Sequence, residues 1–184
     1  MSIQARRERE RAERERLIIT AARELAETEG WDAVTTRRLA EQVEYSQPVL
    51  YSHFKGKDAI MTAVAVEGFA DLAAELRAAV PSGLAATAAV YLSFAERRPA
   101  LYDAMFSHAV DLQFATPAAP AALHAGFDAI ADAIRPHAAD DDLGLLTETF
   151  WAALHGLATL TRSARLPREA QNARLALLLN RFAP

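Results

Sequence analysis

Apolar residues recur along this chain at helical spacing, and no segment sustains the alternation of a half-buried strand. Ile18, Ala22, Leu25 and Ala26 make one stripe on a first helix running from near Ser2 to Glu29. Gly30 ends that helix, and Trp31 can fold back as an anchor. Thr35-Thr36 offers an N-cap for a short helix to about Val43, with Leu39, Ala40 and Val43 inward. Ser46 caps the next helix, where Leu50 and Phe54 form the buried stripe. Pro48 in its first turn costs no hydrogen bond, because the first N–H groups of a helix have no intrahelical acceptor. Gly56 closes it, and a long helix then runs from Lys57-Asp58 to about Val80. After the break at Pro81-Ser82-Gly83, further helices are expected at about 84–97, 99–107, 118–135, 142–163 and 167–182. Pro99, Thr116-Pro117, Arg135-Pro136 and Leu166-Pro167 punctuate them. The expected fold is all-α with about nine helices.

Composition agrees. The chain has 184 residues, enough for one compact unit or two small ones sharing a core, and 52% of them are hydrophobic. Ala and Leu dominate that fraction, which favours helix. There is no Cys, so disulfide frameworks, thiolate metal sites and a Cys nucleophile are excluded. No apolar signal core opens the chain. The longest apolar tract, Leu84 to Ala95, is too short and too interrupted to span a bilayer. A soluble, cytoplasmic protein without membrane association is expected.

Charge sharpens the picture. The net charge of −4 is uneven: residues 1–57 carry 11 Arg and Lys against 10 Asp and Glu, net +1, and residues 58–184 carry 9 against 14, net −5. Only the first third can approach a polyanion without global repulsion. Within it, Arg6 to Arg16 alternate with Glu in i,i+4 pairs (Arg6–Glu10, Arg9–Glu13, Glu10–Arg14). This is the pattern of a solvated helix more than of a DNA-binding arm.

The stretch YSQPVLYSHFKGK, Tyr45 to Lys57, concentrates the chemistry. With Leu50 inward, Gln47, Pro48, Tyr51, Ser52 and His53 are expected to point outward. Two short helices joined by a tight turn, the second with an exposed polar face, make a helix-turn-helix whose second helix fits a major groove. Tyr51 and His53 can donate to phosphates. Lys57 starts the following helix, where the dipole also favours an anion.

Val34-Thr35-Thr36, Leu39-Ala40-Glu41, Ser46 through Leu50-Tyr51-Ser52-His53-Phe54, and Lys57 together resemble the DNA-binding region of the TetR/AcrR family of bacterial regulators. The resemblance covers about residues 14–65. Trp151 through His155-Gly156 is similar to the Trp/His-Gly motif of one C-terminal ligand-domain subgroup. The family implies a homodimer that binds a double-stranded DNA operator and is released by a small-molecule effector. It implies a helix-turn-helix domain at 1–56 and a ligand-binding and dimerisation domain at 57–184. It places Thr36, Tyr51, His53 and Lys57 at phosphates, and Gln47, Pro48 and Arg38 at bases. One departure stands out: the family's usual Gly in the turn is Glu44 here, followed by Tyr45 in place of Val. A positive φ at Glu44 would cost about 1 kcal/mol.

Beyond residue 57, Phe69, Tyr91, Phe94, Tyr102, Met105, Phe106, Phe127, Trp151 and His155 are either ordinary core or the lining of an apolar pocket. Tyr91, Tyr102, His108 and His155 would be its polar handles. Such a pocket would take a hydrophobic effector. Gly156 with Ala152 makes a smooth helix surface, suited to the domain's own core or to a partner subunit. Leu175, Leu178, Leu179 and Phe182 make the last helix too apolar for water: either the stripe closes its own monomer's core or, as the family resemblance implies, it pairs with residues 142–163 in a dimeric four-helix interface. The five His are not spaced as metal ligands, and Asp140-Asp141-Asp142 suits a helix cap, so neither catalysis, a cofactor nor a metal is expected. The alternative is a helical small-molecule-binding protein or enzyme whose helix-turn-helix no longer binds DNA.

Overall fold

In the computed structural model, residues 2–106, 112, 116 and 119–182 are described. His108 and Pro117 lie outside them. Nine α-helices, joined by turns and short 3-10 segments, account for the described residues, which contain no strand. They are α1 (Ile3–Glu29), α2 (Thr36–Gln42), α3 (Gln47–His53), α4 (Lys57–Ala79), α5 (Leu84–Arg97), α6 (Pro99–Phe106), α7 (Ala121–Ile134), α8 (Leu143–Arg162) and α9 (Gln171–Phe182). No described helix is long and apolar enough to cross a membrane.

The ends follow the local chemistry. Ser2 accepts from the Ala5 N–H at the start of α1, and Gly30, at φ 83°, ends it. Thr35 accepts from the Arg38 N–H at α2, and Asp142 from the Leu145 N–H at α8. Ser46 holds the N-cap position of α3, but its hydroxyl makes no cap bond. The expected side-chain cap there is absent.

Two compact units divide the chain: Met1–Gly68 with Pro99–Leu112, and Phe69–Arg98 with Gln113–Pro184. In the first, the stripe Ile18, Ala22, Leu25 and Ala26 is buried as its spacing predicts, together with Leu39, Ala40, Val43, Leu50, Ile60 and Val64. α6 belongs to this unit. Its first N–H groups, from Ala100 and Leu101, donate to the Glu27 carboxylate at 3.2 and 2.9 Å. A Cβ at Gly68 would come within 2.8 Å of both Leu101 Cδ1 and Met105 Sδ, so only glycine lets α4 pass this close to α6.

In the second unit Tyr91, Phe94, Ile134, Phe150 and Leu154 form the core, each at most 1% exposed. α9 closes over it loosely. None of its residues is fully buried, and the Phe182 ring meets Phe150 edge-on at 5.1 Å.

Candidate nucleic-acid interface

The turn between α2 and α3 places Glu44 at φ 56°, a left-handed backbone that a residue with a Cβ adopts at a cost. The Tyr45 N–H reaches back to the Ala40 carbonyl at 2.8 Å, and the Glu44 N–H to the Glu41 carbonyl at 3.3 Å. That pair of bonds closes the end of α2 in the geometry glycine usually serves. Glu44→Gly is therefore expected to stabilise the protein by about 1 kcal/mol, raising Tm by about 3 °C in a melting curve. A midpoint that stays put or falls would show the strain is not there.

α3 buries Leu50 completely and turns Gln47, Pro48, Val49, Tyr51 and Ser52 to the surface. Tyr51 keeps 51% of its surface and Val49 37%. Thr36, the first residue of α2, meets this face: its Oγ1 lies 3.3 Å from the Tyr51 hydroxyl. Two hydroxyls from two helices thus stand side by side, each able to donate to one phosphate oxygen. Val49 escaped the sequence reading because a lone apolar residue beside Leu50 carries no pattern; its exposure makes it a candidate partner for a thymine methyl.

Three of the expected contact residues meet partners within the chain. His53 is not outward-facing: its side chain is only 5% exposed, with Nδ1 3.4 Å from Glu15 Oε1 on α1. The reason is helical geometry, since position 53 lies three residues after buried Leu50 and shares its face. Arg38 donates through both terminal nitrogens to the Glu29 carboxylate, at 2.8 and 2.7 Å. That contact raises the Arg38 pKa and lowers that of Glu29. Both groups are exposed, so the pair is weak and exchangeable. The Lys57 ammonium donates to the Trp31 carbonyl, tying the start of α4 to the turn after α1.

The aromatic and Met residues past position 57 divide between the units. Tyr102 and Met105 are buried in the first, and the Phe106 ring meets that of Tyr102 at a tilt of 48°, 4.7 Å between centroids. In the second, Phe69, Tyr91 and Phe94 are buried, while Phe127, Trp151 and His155 are half-buried. Trp151 Nε1 donates to the Tyr91 hydroxyl at 3.1 Å. Burial, helped by Arg162, holds His155 below the usual histidine range, so its neutral form is favoured. His155 Nε2 lies 3.4 Å from Thr159 Oγ1. A Cβ on Gly156 would meet nothing within 4 Å, so packing against this chain's own core does not account for the glycine.

Residues 18–64 match the model of bacterial regulatory proteins of the tetR family, and residues 84–182 that of a tetracyclin-repressor-like C-terminal domain. The class D tetracycline repressor protein of Escherichia coli is 48% identical over 50 residues, 27% of this chain and 23% of that protein. The uncharacterised HTH-type transcriptional regulator YobS of Bacillus subtilis (strain 168) is 30% identical over 95 residues, 49% of this chain and 50% of that protein. The chain thus spans half or less of the curated relatives it matches. A solved structure of a protein with unknown function from Rhodococcus sp. RHA1 aligns over 92% of this chain and 95% of that one, at 25% identity and a TM-score of 0.73.

Proposed function

The chain belongs to the TetR family of bacterial regulatory proteins, and from that premise we propose that it is a DNA-binding transcriptional repressor released from a palindromic operator by a small hydrophobic effector. The observation that carries the reading is the free outer face of α3, flanked by the paired hydroxyls of Thr36 and Tyr51. Gln47 and Pro48 meet base edges, and Thr36 and Tyr51 hold a phosphate. Lys57, fixed at the start of α4, adds positive potential beside them. The effector enters the second unit among the Trp151 and His155 side chains, where Trp151, His155 and Gly156 mark the Trp/His-Gly subgroup. It acts through α4, whose residues both units share. It does so only to the extent that it binds the released state more tightly than the DNA-bound one.

Selection of duplexes from a random pool tests this reading directly. Tyr51→Phe is expected to weaken binding to all recovered duplexes alike. Gln47→Ala is expected to cost about 1–3 kcal/mol on the preferred site and to relax its sequence. Affinity should fall steeply with salt, as counterion release requires. Gel shifts unmoved by either change would discard this face as the reading surface.

A second copy of the chain covers α8 and α9 in this proposal. Leu145 and Leu177 are each 64% exposed, Leu160 is 37% exposed, and Gly156 leaves room for a helix to approach closely. Two copies then present their α3 helices to successive major grooves about 34 Å apart. Gly156→Ala tests the interface. The helix itself gains about 1 kcal/mol, whereas a close-packed dimer loosens by about tenfold in dissociation constant. Sedimentation across a dilution series reads this, and an unchanged dimer with a raised Tm would leave that face to solvent.

A further inference from the structure

At seven residues, α3 is too short to hold its own shape, and Leu50 is its one fully buried side chain. Its last carbonyls have no intrahelical donors and need partners from elsewhere. The Leu50 carbonyl takes the Phe54 N–H at 3.0 Å. The Ser52 carbonyl is reached from a different helix: Arg11 of α1 donates to it through Nη2 at 3.4 Å. Arg11 is held in turn, its Nε donating to Glu15 Oε1 at 2.8 Å. That same carboxylate oxygen lies 3.4 Å from His53 Nδ1. One connected set therefore runs from the front of α1 into the final turn of α3. It places a guanidinium at the helix's negative end, where the dipole favours it.

We propose that Arg11, Glu15 and His53 form a brace that sets the rotation and tilt of α3, making them positioning residues for reading DNA and not DNA contacts. Arg11 and Glu15 lie ahead of the stretch matched by the family model, residues 18–64. The brace gives a task to part of the Arg/Glu run that charge alone assigned to solvent: Glu15 orients Arg11 and faces His53 with a single carboxylate. Base readout depends on donor–acceptor distances near 3 Å, so a small roll of α3 would displace Gln47 from its base while the phosphate contacts adjust. This last step rests on the regulator reading; the brace itself does not.

Two measurements on the full chain separate the two ideas, using Arg11→Gln and Glu15→Gln. Arg11 is 57% and Glu15 31% exposed, so both variants should fold, and circular dichroism checks this. Without DNA, hydrogen exchange at the amides of residues 50–54 should accelerate about fivefold or more, with α5 unaffected. With a duplex recovered from the random pool, affinity should fall about fivefold to twentyfold at fixed salt. The slope of log affinity against log salt should stay unchanged, because no phosphate contact is lost. Unaltered exchange in both variants would overturn the brace. So would a salt slope smaller by about one in Arg11→Gln, which would make Arg11 a phosphate contact. Faster exchange in a protein that shifts no duplex would support the brace and overturn the proposed function instead.

Discussion

Trp31→Ala is expected to destabilise the first unit by about 3–5 kcal/mol, the largest effect of any single change considered for this protein. Trp31 sits directly after the glycine that ends α1 and is 7% exposed. Its Nε1 donates to the Ala100 carbonyl at 2.8 Å, and its own carbonyl accepts from the Lys57 ammonium. One residue thus joins α1, the start of α4 and the first turn of α6. Truncation removes a large apolar surface and leaves the Ala100 carbonyl without that donor, two losses that add. Trp31→Phe keeps most of the apolar contact and loses the hydrogen bond, so about 1–2 kcal/mol is expected. Urea unfolding followed by circular dichroism reads both, since Trp151 complicates fluorescence. With a domain's total stability near 5–15 kcal/mol, the alanine variant should lose a large fraction of it. A cost below about 1 kcal/mol would show that the anchor is dispensable.

Leu50→Ala comes next, at about 2–5 kcal/mol. Leu50 is 0% exposed and is the one apolar side chain by which α3 enters the first unit's core, beside the nearly covered His53. The damage should be uneven. Because α3 is short, it can detach locally before the unit unfolds, so duplex binding should be lost well before the global melt moves by a corresponding amount. Leu50→Met, which nearly conserves volume, should cost less than about 1.5 kcal/mol and retain binding. Comparing binding and melting for the two variants tests the prediction. If Leu50→Ala still shifts the recovered duplex at wild-type concentration, α3 is held by something other than this side chain.

The face of α3 was legible in sequence at some positions and not at others. Leu50 inward with Gln47, Pro48 and Tyr51 outward follows from helical spacing once Pro48 marks a helix start. The same spacing places His53 with Leu50, three residues on, yet its polarity argued for the surface; proximity to Glu15 decided the matter. Glu44 was a conflict visible in the residues themselves, and its φ of 56° is that conflict realised. The adjacency of Thr36 and Tyr51, fifteen residues apart, needed the turn geometry before it could be seen.

Local chemistry, read from the chain alone, determined the helices, the caps at Thr35 and Asp142, the sharp turn and the stripes of α1 and α2, but not a Ser46 hydroxyl cap or a fully buried Phe54. Each depends on neighbours within a turn or two, and those forces act at short sequence range. The partners of the long charged side chains were settled only by the folded chain. Arg11 reaches Ser52, Arg38 reaches Glu29, Lys57 reaches Trp31 and Glu27 caps α6. A flexible cation or carboxylate joins whichever opposite dipole packing brings near. That choice rests on contacts from nine to 74 residues away, which no local pattern encodes.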